Sequence, residues 1–371
     1  MTGARRATRG NERENGRGPG RGRGGGRAGA EGPVVLLTGA GGFIGSAVLA
    51  ALRALPGVGE VRALTRSSAP AGTVPVAADL ADPATLRGAA EGAEVLIHLA
   101  SVVSGPEEEC AAVNVHGTRA LLAEAGRAGV GRIVHLSTAA VYGAGPHRGI
   151  GVDEVAPAPV SAASRTRLTG EGAALEAGAV VLRAPLVLGA GDRWVVPCLA
   201  DLLRRVPARW DGGGALLSLV AVTDLARLIA DLAVAPDQAA VPAGVHGVHH
   251  AGHPRPVTTA ELLAALADHG VLPAVPDANW PWERCTAELG RVPGVHSERQ
   301  FELLARHHWY RSEEIWRLTG TDPGPGPLHR LAEAAPWYRS HLAGASGGAS
   351  FGASGGASVG ASFEASGGDR S

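Results

Sequence analysis

Residues 38–45, which read TGAGGFIG, constrain the fold of this chain more than any other segment. The apolar residues 34–37 before them predict a buried strand, and residues 46–52 after them predict a helix. A glycine-rich turn between a strand and a helix is typical of a dinucleotide-binding site. The free N–H groups and the positive dipole end of such a helix suit phosphate groups.

Each glycine of this turn has its own steric task. Gly39 allows the tight turn, Gly42 lets the backbone approach a pyrophosphate, and Gly45 lets helix and strand pack closely. Phe43 and Ile44 stand between the last two glycines, and we assign both to the cofactor loop. A chain with 55 glycines also offers the alternative of an ordinary glycine-rich surface turn. The strand and helix patterns on either side favour the dinucleotide site.

Strand and helix patterns alternate along the next part of the chain. Apolar runs predict strands over residues 61–64, 74–78, 95–100, 132–137 and 179–183, with helices over 83–90 and 113–128. Repeated β-α units with continuous apolar strands indicate an α/β fold built on a doubly wound parallel (Rossmann) sheet. Ligands of such sheets bind at the carboxyl ends of the strands.

Changes in composition along the chain divide it into four parts. Proline, tryptophan and histidine become frequent after residue 190, which predicts a smaller C-terminal lobe. The parts are a disordered Arg/Gly-rich tail at 1–32, a dinucleotide-binding Rossmann domain at 33–190, a substrate-binding lobe mainly at 191–341, and a disordered Gly/Ala/Ser tail at 342–371.

Composition also excludes several classes of protein. The chain has no apolar run of membrane-spanning length and no apolar segment of a secretory signal near its N-terminus, so we expect a cytoplasmic protein without a membrane partner. Its three cysteines lie far apart, which predicts neither a disulfide framework nor a CxxC metal site. The chain has no lysine, and all 34 basic residues are arginine.

Two polar segments of the sequence offer alternative functions, RNA binding and metal binding, that we do not favour. The Arg/Gly-rich tail resembles an RNA-binding arm, but a solvated tail explains it as well, and we expect no nucleic-acid partner. His246, His249, His250 and His253 form a histidine-rich segment. A zinc site needs converging ligands, preferably with a cysteine or carboxylate, so we expect no metal.

The TGAGGFIG segment, with its GxxGxxG spacing, resembles the extended short-chain dehydrogenase/reductase family of NAD-dependent epimerases, dehydratases and ketoreductases. The resemblance covers about residues 33–341. It implies that Asp79 and Leu80 lie beside the adenine, and that Leu99, Ala100 and Ser101 pass the cofactor. It also implies that Asn114, in the motif NVHGT, orders the active-site region.

Arg66 bears on the choice of dinucleotide. It follows the second predicted strand, at the place where NAD enzymes usually carry an acidic residue for the ribose 2′-hydroxyl. A guanidinium can bind a 2′-phosphate bidentately, whereas a carboxylate repels it. We therefore expect NADP, with NAD as the alternative, unless Arg66 is a solvated loop residue.

The resemblance fails at the family's catalytic pair. Residues 137–143, STAAVYG, match the family segment that places the Thr138 hydroxyl against the substrate oxygen. The family then expects Tyr-x-x-x-Lys, but this chain has Ala163 and Arg167 there. Arg167 can still bind ribose hydroxyls, and we retain it with Thr138 as a catalytic candidate. Ala163 cannot move a proton. Tyr142 is the candidate whose chemistry suits that role, and Thr138, Ser164, His147, a substrate group or a water are the alternatives.

Residues 182–192 resemble the family segment that leads into the substrate pocket. Pro185 belongs to it, and we assign it to the cofactor site. Arg193 and Trp194 follow, and their guanidinium and large ring suit a phosphate and a base or sugar. A salt-bridged arginine and a packing tryptophan explain them equally well.

These features predict an NAD(P)-dependent oxidoreductase or epimerase-like enzyme. Its substrate would be a small keto or hydroxy compound, such as a nucleotide-linked deoxysugar or a secondary-metabolite intermediate. The missing tyrosine and lysine motivate an alternative, a catalytically inactive NADP-binding sensor or scaffold. The resembled family often dimerises, so a homodimer is the expected assembly.

Overall fold

The computed structural model describes residues 32–234 and 245–347. The predicted tails therefore lie outside the described residues, apart from Gly32 and residues 342–347. The strands are β1 Val35–Thr38, β2 Val61–Thr65, β3 Val74–Ala77, β4 Val95–His98, β5 Arg132–Thr138, β6 His147–Ile150, β7 Val180–Ala184, β8 Leu186–Leu188, β9 Arg209–Trp210, β10 Leu216–Leu217, β11 Leu219–Ala221, β12 Gly247–His250, β13 Val257–Thr258, β14 Asn279–Trp280 and β15 His308–Tyr310.

Eleven α-helices connect these strands within the described part of the chain. They are α1 Phe43–Ala54, α2 Glu107–Ala111, α3 Thr118–Ala128, α4 Ala162–Glu176, α5 Val195–Arg205, α6 Val222–Val234, α7 Thr259–Asp268, α8 Trp282–Arg291, α9 Glu298–Ala305, α10 Glu313–Thr319 and α11 Pro327–Gly347.

A seven-stranded parallel sheet forms the centre of the molecule, in the order β12-β7-β5-β4-β1-β2-β3. The order reverses direction between β1 and β4, as in doubly wound folds. The predicted α/β fold class is confirmed.

Alternating side chains of β1 explain why both faces of this sheet are covered. Val35 and Leu37 point to one face, where they pack with the apolar residues of α1 and α6. Leu36 points to the other, where it joins buried residues of α3 and α4. A strand buried on both faces needs a continuous apolar run, which is what the sequence provides.

A second core lies in the C-terminal part of the chain. It joins α5, α7, α8, α9 and α11, and its largest fully buried side chains are Trp210, Tyr338 and Phe301. The chain also returns to the Rossmann sheet after residue 190, because α6 packs beside α1 and β12 pairs with β7. Residues 222–234 and 247–250 thus belong to the central layer although they follow the boundary placed at 190.

Three predicted elements differ in the structure. Residues 83–90 form a 3₁₀ turn at Pro83–Leu86 instead of a full helix. The helix predicted from residue 113 begins as a π-helical turn, Ala112–Gly117, before α3. The last helix runs to Gly347, beyond the boundary predicted at 342. No helix among the described residues is long and apolar enough to cross a membrane.

Candidate active site

A cavity of about 290 Å³ opens where β1 and β4 diverge, at the carboxyl edge of the sheet. It lies at the switch point where doubly wound folds bind ligands. Seven of the predicted cofactor residues line it: Gly39, Gly42, Arg66, Asp79, Leu80, Ala100 and Ser101.

The glycine turn forms the floor of this cavity. Gly39 has φ 74°, a left-handed conformation that favours glycine, and its carbonyl accepts a hydrogen bond from Gly42 N at 2.9 Å. Helix α1 begins at Phe43, directly after the turn. A Cβ on Gly45 would lie 1.9 Å from the Gly39 carbonyl oxygen, so only glycine fits there. The turn therefore brings a helix N-terminus to the cavity, as phosphate sites require.

Thr38 joins the ends of β1 and β4 beneath the cavity, a contact that sequence reasoning missed. Its hydroxyl oxygen accepts from the backbone N–H groups of Leu99 and Ala100, both at 3.1 Å. The same hydroxyl lies 2.8 Å from Nδ1 of His98, whose Nε2 lies 3.0 Å from Thr118 Oγ1. Burial lowers the pKa of His98 to about 4, so the ring is neutral. His98 is therefore a packed strand residue.

The opposite wall of the cavity comes from the loop after β2. Arg66 is exposed on this loop and its side chain faces the cavity. Thr65 shapes the loop, because its hydroxyl donates to Ser68 O at 3.0 Å and accepts from Ser67 N at 3.3 Å. Ser101 is nearly buried on the other side, and its hydroxyl has no partner among the described residues. An unpaired hydroxyl and an exposed guanidinium suit a polar, phosphorylated ligand.

Asn114 connects the cavity to α4. It lies in the π-helical turn, where its Oδ1 accepts from Val102 N at 2.8 Å and its Nδ2 donates to Val102 O at 2.7 Å. Nδ2 also lies 3.0 Å from Thr166 Oγ1. A buried amide with these three contacts holds the loop after β4 against α4.

Helix α4 carries the two residues at the family's catalytic positions. Ala163 is buried, and Arg167 is buried beneath the end of β5, where its Nη2 donates to Leu136 O at 3.2 Å. The Nε of Arg167 has no partner among the described residues. Burial lowers the pKa of the guanidinium to about 10, while the charge of Glu171 opposes that shift. Arg167 is thus a buried cation with an unpaired Nε, and it lies behind the lining of the cavity at the switch point.

Thr138 ends β5 and lines a second cavity of about 20 Å³. Its oxygen accepts from Ala140 N at 3.1 Å, which leaves its O–H free to donate. Pro185 lines this second cavity and not the first, so the structure groups it with the substrate side. The walls are mostly apolar: Ala139, Ala140, Gly143, Ala184, Leu186, Ser218, Leu303, His308 and Tyr310 complete them.

A third cavity, also of about 20 Å³, lies beside the second, since both are lined by Leu186 and Leu303. Trp194 lines this third cavity with Val195, Cys198, Gln300 and Leu304. Asp192 holds Trp194 in place, because its Oδ1 accepts from Trp194 N at 2.8 Å. Arg193 is exposed and lines none of these three cavities, so the structure does not bring it together with Trp194.

The prediction of Tyr142 as a proton donor is not supported by its position. Its hydroxyl accepts from Arg183 Nη1 at 2.8 Å and lies 2.7 Å from His250 Nε2 and 3.1 Å from Val152 O. The side chain is 1% exposed and is absent from the linings of the three cavities. A hydroxyl with three partners in the interior is structural, because each contact holds it away from a ligand.

Other predicted cofactor residues lie behind the lining. Ile44 and Leu99 pack in the core, Gly45 contacts Gly39, and Phe43 lies against Gly191. The sequence missed several lining residues, namely Ala40, Gly41, Ala63, Leu64, Thr65, Ser67, Ser68, Pro70, Ala78, Val102 and Val113. Ala63, Leu64 and Ala78 lie at the ends of predicted strands and Thr65 directly follows one, so nearness to the carboxyl end of a strand was the signal available for these four.

The fold and the cavity at the switch point define a dinucleotide-binding α/β protein. Residues 35–244 match the model of the NAD dependent epimerase/dehydratase family, and the chain belongs to that family. It is therefore an NAD(P)-dependent oxidoreductase or epimerase-like enzyme; these comparisons do not support the inactive sensor or scaffold.

Two relatives extend this comparison. The chain is 31% identical over 325 residues to the 2-alkyl-3-oxoalkanoate reductase of Stenotrophomonas maltophilia, which covers 78% of this chain and 94% of that protein. It is 34% identical over 198 residues to a dihydroquinoline-1-oxide ketoreductase of Stigmatella aurantiaca, which covers 49% of this chain and 58% of that protein.

Solved structures show the same fold. One is a dTDP-glucose 4,6-dehydratase from Streptomyces venezuelae with NAD bound, with a TM-score of 0.60 and 22% identity, covering 84% of this chain and 98% of that one. Another is an epimerase-like protein from Burkholderia cenocepacia, with a TM-score of 0.63 and 22% identity, covering 84% and 100%.

Proposed function

We propose that this protein is an NADP(H)-dependent ketoreductase for an apolar keto compound. One observation carries the proposal: Thr138 lines an apolar cavity, and the neighbouring apolar cavity, which shares Leu186 and Leu303 with it, is lined by Trp194. The resemblance assigns the Thr138 hydroxyl to the substrate oxygen, and a hydrogen-bond donor at that point polarises a carbonyl. When bound, the cofactor supplies the hydride for this reaction.

The apolar walls favour an alkyl ketone over a nucleotide sugar. A diphosphate needs cationic or backbone N–H donors, and Arg193, the predicted phosphate ligand, lines none of the three cavities described above. Leucine, valine, alanine and proline instead surround Thr138 and Trp194. The Stenotrophomonas maltophilia relative, named as a 2-alkyl-3-oxoalkanoate reductase, supports the same substrate class.

Arg66 supports NADPH as the reductant. Its exposed guanidinium borders the first cavity after β2, and the loop holds Thr65 where an NAD enzyme usually has a carboxylate. Arg167 is proposed to bind the nicotinamide ribose, since its Nε has no partner among the described residues. Gly39 and Gly42 are proposed to hold the pyrophosphate at the start of α1.

The variant Arg66→Ala tests the cofactor assignment. We expect it to raise the Kd for NADPH about 10- to 100-fold, because it removes charge-assisted hydrogen bonds to the 2′-phosphate, and to leave the Kd for NADH almost unchanged. Arg119→Ala, at an exposed position on α3, is the matched control. Equal weakening of both dinucleotides would contradict the role of Arg66, and tighter wild-type binding of NADH would contradict NADP.

The substrate class is tested by following NADPH oxidation with two probes. We expect reduction of 2-hexyl-3-oxodecanoate and no reduction of a dTDP-linked 4-keto sugar. Turnover of the sugar alone would replace the proposed substrate class with the nucleotide sugars. NADPH binding without turnover of either probe would overturn the ketoreductase assignment for these classes.

A further inference from the structure

We propose that Tyr310, on strand β15, donates the proton that the missing tyrosine of α4 would otherwise supply. The proposal rests on the ketoreductase function above and names a catalytic residue for it. Tyr310 and Thr138 line the same cavity, although 172 positions separate them in the chain.

Only four polar side chains line the cavity that contains Thr138. The Ser218 hydroxyl is occupied, because it accepts from Tyr310 N at 2.9 Å and donates to Tyr310 O at 3.3 Å. His308 is held by its Nδ1, 3.2 Å from Arg306 O. Thr138 polarises but is a poor acid. Tyr310 is therefore the side chain whose chemistry matches the missing group.

His308 is the rival donor, and its geometry argues against it. Its Nε2 is buried without a partner among the described residues. That nitrogen packs against the Gly145 backbone, since a Cβ on Gly145 would lie 2.4 Å from it. A ring nitrogen pressed against the backbone cannot approach a substrate in the cavity.

Tyr310 is also the tyrosine with an unoccupied hydroxyl. Tyr142 has its three interior partners, and Tyr338 donates to Asp192 Oδ2 at 3.0 Å while accepting from Gly189 N at 2.9 Å. Among the described residues, only burial and the neighbouring Tyr142 act on the Tyr310 hydroxyl, and none forms a hydrogen bond with it. The chain has only three tyrosines, so the other two are excluded by their contacts.

Strand pairing and a ring stack position Tyr310. β15 pairs with β10 and β6, and alternation places His308 and Tyr310 on one face of it. The ring stacks on Tyr142 with centroids 5.5 Å apart and planes 22° from parallel. Burial raises the pKa of Tyr310, and nearby Tyr142 adds to the shift, so the phenol is protonated at neutral pH.

The chemistry balances with Tyr310 as the acid. The carbonyl carbon gains a C–H bond from the hydride, and the C=O π electrons move to oxygen. That oxygen hydrogen-bonds to Thr138 and takes the Tyr310 proton, and water then reprotonates the phenolate. In sum, ketone, NADPH and one proton give the alcohol and NADP⁺.

The test is Tyr310→Phe in the full-length protein, with 2-hexyl-3-oxodecanoate as the probe. This change keeps the ring stack and removes one hydroxyl. We expect kcat to fall about 100- to 10,000-fold, as for the loss of a general acid, with the Kd for NADPH and the Tm unchanged. Retained cofactor binding separates loss of the acid from loss of the fold.

Tyr142→Phe is the companion variant, because it removes the other hydroxyl of the same stacked pair. We expect it to lower the Tm and to reduce kcat far less than Tyr310→Phe does. If Tyr310→Phe retains wild-type kcat, the proposal fails while the ketoreductase function stands. If the wild type binds NADPH and reduces no probe, the proposed function itself has failed.

Discussion

At the residue scale, Arg167 combines a stability cost with a proposed binding role. It is a buried cation whose Nε has no partner among the described residues, and burial lowers its pKa to about 10. Buried charges without full compensation destabilise a fold, yet the unpaired Nε–H group of Arg167 could bind a ribose hydroxyl. Loss of stability in favour of function is typical of functional sites.

Arg167→Met should separate these two effects. We expect the free energy of unfolding without cofactor to rise by about 1–2 kcal/mol, because the change removes a desolvated charge and keeps a long side chain. The Kd for NADPH should rise at least about tenfold. Urea unfolding and NADPH fluorescence measure the two quantities.

The control for this prediction is Arg165→Met, two residues earlier on the same helix. Arg165 is exposed and pairs with Glu107 at 2.6 Å, so neither quantity should change much. A loss of stability in Arg167→Met would contradict the view that the arginine is retained for binding.

At the element scale, the turn between β1 and α1 offers a matched pair of glycines. A Cβ on Gly45 meets the Gly39 carbonyl at 1.9 Å, whereas a Cβ on Gly41 meets no atom within 4 Å. Both lie in the same short segment, but only Gly45 is in close contact with the turn.

We therefore expect Gly45→Ala to abolish NADPH binding and Gly41→Ala to retain it within about threefold. The added methyl must push α1 away from the turn, which moves the helix N-terminus away from the cavity. Dinucleotide titration of the two purified variants checks this. Equal affinities would show that the close approach of α1 is dispensable.

Elements that depend on local pattern were predictable, and those that depend on packing were not. The strands of the central sheet emerged from continuous apolar runs, because burial on both faces demands them. Local pattern did not predict the 3₁₀ turn at Pro83–Leu86 or the π-helical turn at Ala112–Gly117. In the π-helical turn, Asn114 reaches its hydrogen-bond partners only in the folded chain.

At the scale of the whole molecule, buried histidines make stability depend on pH. Burial lowers the pKa of His98, His250 and His308 to about 4 each, from an ordinary value of 6.5. Between these values the unfolded chain binds protons that the folded chain does not. Stability is therefore fully present above pH 6.5 and is lost as the pH falls toward 4.

Each of these histidines should contribute a slope of about 1.4 kcal/mol per pH unit within that window. Urea unfolding followed by tryptophan fluorescence at several pH values between 4 and 7 measures the sum of these contributions and that of His135, whose pKa is also lowered by burial. His98→Asn should reduce the slope by the contribution of one histidine, about 1.4 kcal/mol per pH unit. A slope that is flat in the wild type would contradict neutral burial of these rings.

The sequence by itself determined the class of fold, the glycine turn between its first strand and helix, and the absence of the family's usual proton donor. These follow from patterns within a few tens of residues, such as the glycine turn and the Ala163–Arg167 pair. Only the tertiary structure decided which tyrosine lines the same cavity as Thr138. Tyr142 is near it in the chain but is held by Arg183 and His250, whereas distant Tyr310 arrives on β15. The physical reason is that a cavity is lined by side chains from separate elements, and packing between those elements is not encoded in local spacing.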